Sequence, residues 1–302
     1  MRNNHVGRAK HYNLFDWFNA ALMIVLSLIF LYPLVMTLSL SFSTPSELVG
    51  VNNVLLLPKG FSLQSYQTLL EDKSILRYYV NTILYASTGT VLCILLTSLL
   101  AYPLTIRDFK GRKLIHVLLL ITMFFGGGMI ATYMTIRSLH MLDTIWAIII
   151  PPSISAWNTF MFVNFFRTIP EALRESAAID GAGHLRILFR IILPLSTALI
   201  ATISLFTAVG FWNDYFRALL YLNSNDLYPI QIFLRKIMIS MDITTGNADV
   251  NNDMSRLMDM VNANPRTVKA AAAIITMLPI LCVYPFVQRY FTKGVMLGAV
   301  KA

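Results

Sequence analysis

Six stretches of this 302-residue chain are apolar over about twenty residues each, with scarcely a charge among them, and no other feature narrows the possible folds as much. A hydrocarbon layer about 30 Å thick is crossed by about 20 helical residues. The stretches fall at 15–40, 80–106, 114–133, 145–166, 187–212 and 268–288. Lipid offers no partner to an unpaired N–H or C=O, so each stretch is predicted to be an α-helix. The expected fold is therefore an all-α membrane protein, a bundle of six transmembrane helices. Pro33, Pro103, Pro151, Pro152, Pro194, Pro279 and Pro285 fall inside these stretches, where a bundle tolerates them as kinks.

The composition agrees: 56% of residues are hydrophobic and 13% charged, against about 45–50% and about 25% in soluble domains. The net charge of +9 raises nucleic-acid binding, but the Lys and Arg are not gathered on one face or in a tail. They stand in short clusters between apolar runs, which points to membrane lipid and not nucleic acid as partner. Arg2, Arg8 and Lys10 precede the first span; Arg107, Lys110, Arg112 and Lys113 join the second and third. Arg167, Arg174, Arg186 and Arg190 join the fourth and fifth, and Arg289, Lys293 and Lys301 follow the sixth. Of the connections on the opposite side, 41–79 and 134–144 hold only Lys59, Lys73, Arg77 and Arg137. By the positive-inside rule both termini are cytoplasmic, as an even number of spans requires. The first apolar stretch is too long for a signal peptide and no small-x-small cleavage site follows it, so it reads as an uncleaved span. Residues 1–14 then form a cytoplasmic segment, 15–290 the membrane domain and 291–302 a cytoplasmic tail. Cys93 and Cys282 both lie in apolar segments and read as small buried hydrophobes, not as a disulfide. His140 and His184 flank spans without a second ligand at suitable spacing, so no metal site is expected.

Two connections exceed a turn. The first, 41–79, is expected to hold a short helix near 65–70. The second, 213–267, is expected to be an external loop; its stretch 229–236 is amphipathic enough to lie on the membrane surface. Loops of this size are usually functional or disordered.

The most informative segment is the loop 167–186. Pro170 suits a first helical turn and Glu171 the positive end of a helix dipole, while Gly181 and Gly183 suit its end. Leu173, Ala177 and Ala178 form a small apolar stripe, with Arg174 and Glu175 beside it. Such a short helix suits docking into a groove on a soluble partner; a solvated connector would show the same features.

Glu175-Ser176-Ala177, Gly181, Ile191 and Leu193-Pro194, at these gaps, resemble the EAA signature of binding-protein-dependent ABC importer permeases, with serine for the first alanine. Asp180-Gly181-Ala182 and Phe165-Phe166-Arg167-Thr168-Ile169-Pro170 are similar to its carbohydrate branch. Leu31-Tyr32-Pro33, Leu57-Pro58-Lys59-Gly60, Phe125-Gly126-Gly127-Gly128, Trp212-Asn213 and the tail from Lys293 to Lys301 resemble maltose-permease G-type subunits. Within these, the glycine triplet and tail look most like the sub-branch for complex or uronate-containing oligosaccharides such as aldouronate, rhamnogalacturonan or alginate fragments.

The resemblance implies a type I importer permease in a bacterial inner membrane, paired with a second permease subunit. Two ATPase subunits would dock beneath the pair, and an extracytoplasmic binding protein would deliver the sugar. No Gly-x4-Gly-Lys-[Ser/Thr] pattern occurs, so the chain is expected to be non-catalytic and to bind no cofactor, ATP and Mg²⁺ being used by the partner ATPase. By matching positions, Glu175, Ala177 and Gly181 would sit in the ATPase groove with Arg174 and Asp180 at its rim. For the substrate pathway, polar and aromatic groups on or near spans are the candidates: Asn158, Asn164, Trp212, Asn213 and Tyr215. For the two asparagines of the fourth span interhelical hydrogen bonding is the favoured reading, and in the maltose relatives the other subunit holds most of the sugar. The 213–267 loop is expected to reach the binding protein. Gly126–Gly128 either ends a helix at the membrane surface or permits a bend. A secondary transporter would need paired charges within the spans, and an intramembrane enzyme a catalytic constellation; neither is visible. A permease for peptides or amino acids remains the nearest rival.

Overall fold

The computed structural model describes residues 13–48, 55–243 and 265–299, and all regular structure in them is helical. The segment before residue 13, the polar run 244–252 and the tail at Lys301 lie outside the described residues. Two units are distinguished: residues 1–71 with 241–274, and residues 72–240 with 275–302.

The first unit begins with α1 (Leu14–Ser41), which covers the stretch expected at 15–40. The Asp16 carboxylate accepts the Asn13 N–H at 2.9 Å and lies in the first turn, where the helix dipole favours an anion. No residue in the apolar window of α1 is buried. An apolar window with no buried residue needs lipid or another chain for its surface. After α1 the chain folds back. Thr44 N–H donates to the Lys59 carbonyl at 2.9 Å, and Phe42 stacks on Phe61 with ring centroids 5.7 Å apart. Gly60 has φ of +63°, and a Cβ there would lie 2.4 Å from Thr44 Oγ1. Both facts demand glycine at the end of the Leu57–Gly60 motif. Next comes α2 (Gln64–Leu70), over the short helix expected near 65–70. Ser65 Oγ donates to Thr267 Oγ1 at 2.8 Å, near the start of the last helix, Pro265–Ala299.

The second unit is built on α3 (Ser74–Ala101), extended by a 3-10 turn at Pro103–Thr105. Then follow α4 (Arg112–Phe124), α5 (Gly128–Ser138), α6 (Ile145–Ile149), α7 (Ala156–Thr168), α8 (Glu171–Ile179), α9 (His184–Leu195) and α10 (Thr197–Trp212). The short α11 (Phe216–Tyr221) and longer α12 (Ile230–Ile243) precede α13, the helix Pro265–Ala299. Among the described residues three helices are long and apolar enough to cross a membrane: Leu14–Ser41, Ser74–Thr105 and Pro265–Cys282.

Three expected spans are broken. The stretch 114–133 bends by 117° between α4 and α5. Gly128 there takes φ of +78°, so the glycine triplet both ends one helix and turns the chain into the next. The stretch 187–212 bends by 83° between α9 and α10. Pro194 has no N–H for the Arg190 carbonyl, and a π-turn at Leu188–Ile192 precedes the break at Ser196. In 145–166 the consecutive Pro151 and Pro152 withdraw two donors, and helix resumes only after Ser155. Two adjacent prolines stop the helix where one would kink it.

The stretch expected as an external loop is largely helical in its described part. Its amphipathic patch forms the start of α12, with Ile230, Ile232, Phe233 and Ile237 buried. That apolar face covers protein core, which corrects the expectation that it lies on the membrane surface.

Two apolar clusters organise this unit. One gathers Tyr102, Leu104, Phe162, Phe166, Leu188 and Ile192; the other gathers Tyr85, Ile136, Ile149, Phe211, Tyr221 and Ile232. Helix α3 contributes to both, and its own contact with α10 is close because Gly89 lies under Phe211. A Cβ at Gly89 would come within 2.3 Å of that ring. Beyond the clusters, Asp143 fastens two connections: its Oδ1 accepts the N–H groups of Asn223 at 2.9 Å and Ser224 at 2.8 Å, and its Oδ2 the Ser224 hydroxyl. These bonds, the Ser224 hydroxyl foremost, hold the Asp143 carboxyl below the usual carboxylate range.

Gly89→Ala gains about 1 kcal/mol of helix propensity but forces its methyl into a rigid ring, a cost of about 1–3 kcal/mol. The expected outcome is a lower melting temperature in detergent, reversed by Phe211→Leu in the double variant; an unchanged melting temperature for Gly89→Ala would contradict the close contact. For Asp143, a folded pKa below the unfolded value of about 3.9 means its stabilisation is complete above that value and fades as pH falls through the lower folded one. Asp143→Asn should mimic the low-pH state at neutral pH, with faster hydrogen exchange at the Asn223 and Ser224 amides.

Candidate functional site

Helix α8 is short because its sequence carries a start and a stop. Pro170 is its N-cap and Glu171 lies in the first turn. At the other end Ala182 N–H donates to the Ala177 carbonyl at 2.9 Å and Gly181 N–H to the Ala178 carbonyl at 3.0 Å. This pair of bonds is the Schellman motif, whose left-handed residue is Gly181 with φ of +76°. A Cβ at Gly181 would meet nothing within 4 Å. Conformation alone therefore selects glycine here, and the space above it is open.

The helix has two unlike faces. Ala177, with Ala182 just beyond, packs half-buried against the cluster around Phe162 and Ile187, and Arg174 is half-buried beside it. Outward stand Ala172, Glu175 and Ile179, all exposed, with Ile179 at 87% exposure. Asp180 caps the helix and is exposed. Glu171 pairs with Arg107 at 3.6 Å between two well-exposed side chains, a contact worth little in water. A groove of about 440 Å³ separates Leu173, Ala177 and Asp180 of α8 from Arg190, Ile191 and Pro194 of α9. The two halves of the gapped motif thus face each other across one groove.

Among the residues expected to meet a partner, Glu175, Asp180 and Gly181 are on the open side. Ala177 and Arg174 are turned inward, because a small side chain and a long one both let α8 lie against the body. Ile179 was not among the expected site residues; an apolar residue four positions after Glu175 on a charged helix was the available signal.

The pathway candidates do not converge on one cavity. Asn158 Nδ2 donates to Cys93 Sγ at 3.8 Å, joining α7 to α3, and Thr207 Oγ1 lies 3.9 Å from the same sulfur. This is interhelical bonding of the kind expected for a polar group between spans. Cys93 and Cys282 are free thiols. Asn164 is exposed. Trp212 is buried, its Nε1–H donating to the Thr276 carbonyl at 3.1 Å and its ring 6.3 Å from Tyr79, so its polar edge is already occupied. Asn213 is exposed, and Tyr215 is exposed with the Arg235 guanidinium 4.7 Å above its ring.

The chain belongs to the family of binding-protein-dependent transport system inner membrane components, whose model matches residues 9–297. It is 40% identical over 288 residues, 95% of this chain and 98% of the relative, to the polygalacturonan/rhamnogalacturonan transport system permease protein YtcP of Bacillus subtilis (strain 168). It is 39% identical to protein LplC of the same organism, over 100% of this chain and 98% of that one. A chain in the crystal structure of a bacterial ABC transporter involved in import of the acidic polysaccharide alginate superimposes with a TM-score of 0.83 at 30% identity, covering 94% of this chain and 99% of that one. Permeases of this family are not catalytic themselves.

Replacing Gly181 tests the Schellman stop. Gly181→Ala should cost about 1–2 kcal/mol through the left-handed conformation, with Gly181→Asn costing less. Hydrogen exchange at the Ala182 amide reads this directly; equal protection in both variants would remove the argument.

Proposed function

We propose that this chain is one of two membrane subunits of an ATP-driven, binding-protein-dependent importer for oligosaccharides, with uronate-containing sugars as the substrate class. The observation that carries the reading is α8: a helix of the matched signature, fixed by its Schellman stop, presenting Glu175 and Ile179 outward on a chain of the permease family. In this reading α8 is the handle gripped by an ATPase subunit. The ATPase binds and hydrolyses ATP with Mg²⁺, and this chain supplies conduction and coupling. The second permease completes the pathway, and the binding protein delivers sugar from outside. ATP-driven closure of the ATPases then shifts the helices between inward- and outward-facing states.

The membrane topology follows from the same reading. The straight helices, the two bent pairs and the α6–α7 stretch each cross once, giving six spans in the bacterial inner membrane. Both termini and α8 are cytoplasmic, as the clusters of Lys and Arg require. Sugar import is favoured over peptide or amino-acid import by the names of relatives, which specify polygalacturonan/rhamnogalacturonan, arabinooligosaccharides and melibiose/raffinose/stachyose. The uronate assignment rests on YtcP and the alginate importer, whose named polysaccharides carry carboxylates.

Ile179→Asp places a charge where an apolar contact is expected to be buried. Burial of such a side chain contributes about 1.5–3 kcal/mol, so ATPase retention on the detergent-solubilised complex should fall by about tenfold or more while membrane insertion is unchanged. Gly181→Asp should likewise insert normally and separate hydrolysis from uptake. Wild-type uptake by both variants would sink the docking assignment.

A further inference from the structure

Arg174 is a charged residue of α8 that the outward docking surface leaves unexplained. Its Nη1 donates to Thr105 Oγ1 at 3.0 Å, and its Nη2 donates to the Phe166 carbonyl oxygen. The guanidinium carbon lies 6.0 Å from the centre of the Tyr102 ring. Tyr102, Thr105 and Phe166 are all buried. Tyr102 also approaches the start of α9, with its hydroxyl 3.4 Å from His184 Nδ1. The Arg174 Nε is buried without a partner among the described residues.

An apolar side chain would fill this place without desolvating a charge and without leaving an N–H unpaired, and packing alone does not call for arginine. A planar fork, in contrast, can grip two elements at once. Tyr102 and Thr105 end the α3 rod, whose opposite end is held by Asn81 Nδ2 on the Asp226 and Tyr228 carbonyls and by Tyr85 on that of Leu227. Phe166 ends α7, where a cation meets the negative end of the helix dipole and from which Asn158 reaches Cys93.

We infer that Arg174 is a positioning residue for coupling: it locks α8 to the ends of α3 and α7, so that motion imposed on α8 moves the pathway helices instead of flexing the loop. This rests on the docking reading of α8 and adds the route by which the motion leaves it.

The test uses the full transporter in lipid nanodiscs and proteoliposomes, with Arg174→Met, Arg174→Lys, Thr105→Val, Thr105→Ser and the Arg174→Met/Thr105→Val double variant. ATPase retained on the complex is measured beside ATP hydrolysed per sugar imported. Retention should stay within about twofold of the unaltered complex while ATP per sugar rises by about tenfold in Arg174→Met, a size common for residues in contact. Thr105→Val should show a smaller rise that Thr105→Ser restores, and the double variant should be no worse than Arg174→Met alone. Unchanged ATP per sugar in Arg174→Met, or multiplying effects in the double variant, would overturn the latch. Arg174→Lys keeps the charge but not the fork, and it carries the same test if Arg174→Met fails to fold. A second measurement needs no partner: spin labels at positions 178 and 108, in a Cys93→Ser/Cys282→Ser background, should give a broader distance distribution in Arg174→Lys. An unaltered distribution counts against the latch. If the unaltered chain retains no ATPase, the docking reading falls separately, and the label distances still judge the lock.

Discussion

Every backbone N–H and C=O within a hydrocarbon layer must find its partner inside the protein, and the helices here meet that demand in two ways. Where the sequence is uninterrupted, as in α3, the helix's own hydrogen bonds suffice. Where it is interrupted, side chains and special conformations close the gap. Gly128 turns through a positive φ, a π-turn shifts the bonding pattern before Pro194, and Ser196 donates its hydroxyl to the Ile192 carbonyl at 2.7 Å. Thr and Ser hydroxyls do the same along unbroken helix, as when Thr37 bonds the Pro33 carbonyl at 2.8 Å. The bends are therefore built from the same hydrogen-bond accounting as the straight segments.

That accounting explains why α3 serves as the spine of its unit. It contains no internal proline until Pro103, and its buried small residues, among them Gly89 and Ala101, admit close neighbours. Phe211 of α10 uses the room above Gly89. Small residues at helix contacts replace the hydrophobic driving force that lipid removes. A rod of 28 residues spans about 40 Å at 1.5 Å per residue, so side-chain contacts at its two ends are linked through one stiff element.

The large-scale pattern was legible in the sequence because each long apolar stretch is a local signal. The stop at Gly181 was legible for the same reason: a left-handed turn restricts a single residue, and glycine declares it. The breaks at 150–155 and 196 were hidden, since proline signals lost donors but not whether neighbours will restore them. Burial of the 230–237 face was hidden too, because an amphipathic stripe has the same spacing whether it covers lipid or core. The direction of Arg174 depends on Thr105, 69 residues away, and nothing within a nine-residue helix encodes that. The bond from Trp212 Nε1–H was hidden as well, because its partner, the Thr276 carbonyl, lies 64 residues further on.

The gap inside the signature also has a physical meaning. Nine residues separate Gly181 from Ile191, and the structure spends them on the end of the Schellman turn and the first turns of α9. That length brings Ile191 and Pro194 back beside Leu173 and Ala177. A residue added or removed within α9 would rotate Ile191 by about 100° at 3.6 residues per turn, carrying it off the groove. The spacing is thus fixed by helical geometry, and Pro194 ends the run where the chain must bend into α10. The two halves of the motif constrain each other because they form the two walls of a single groove.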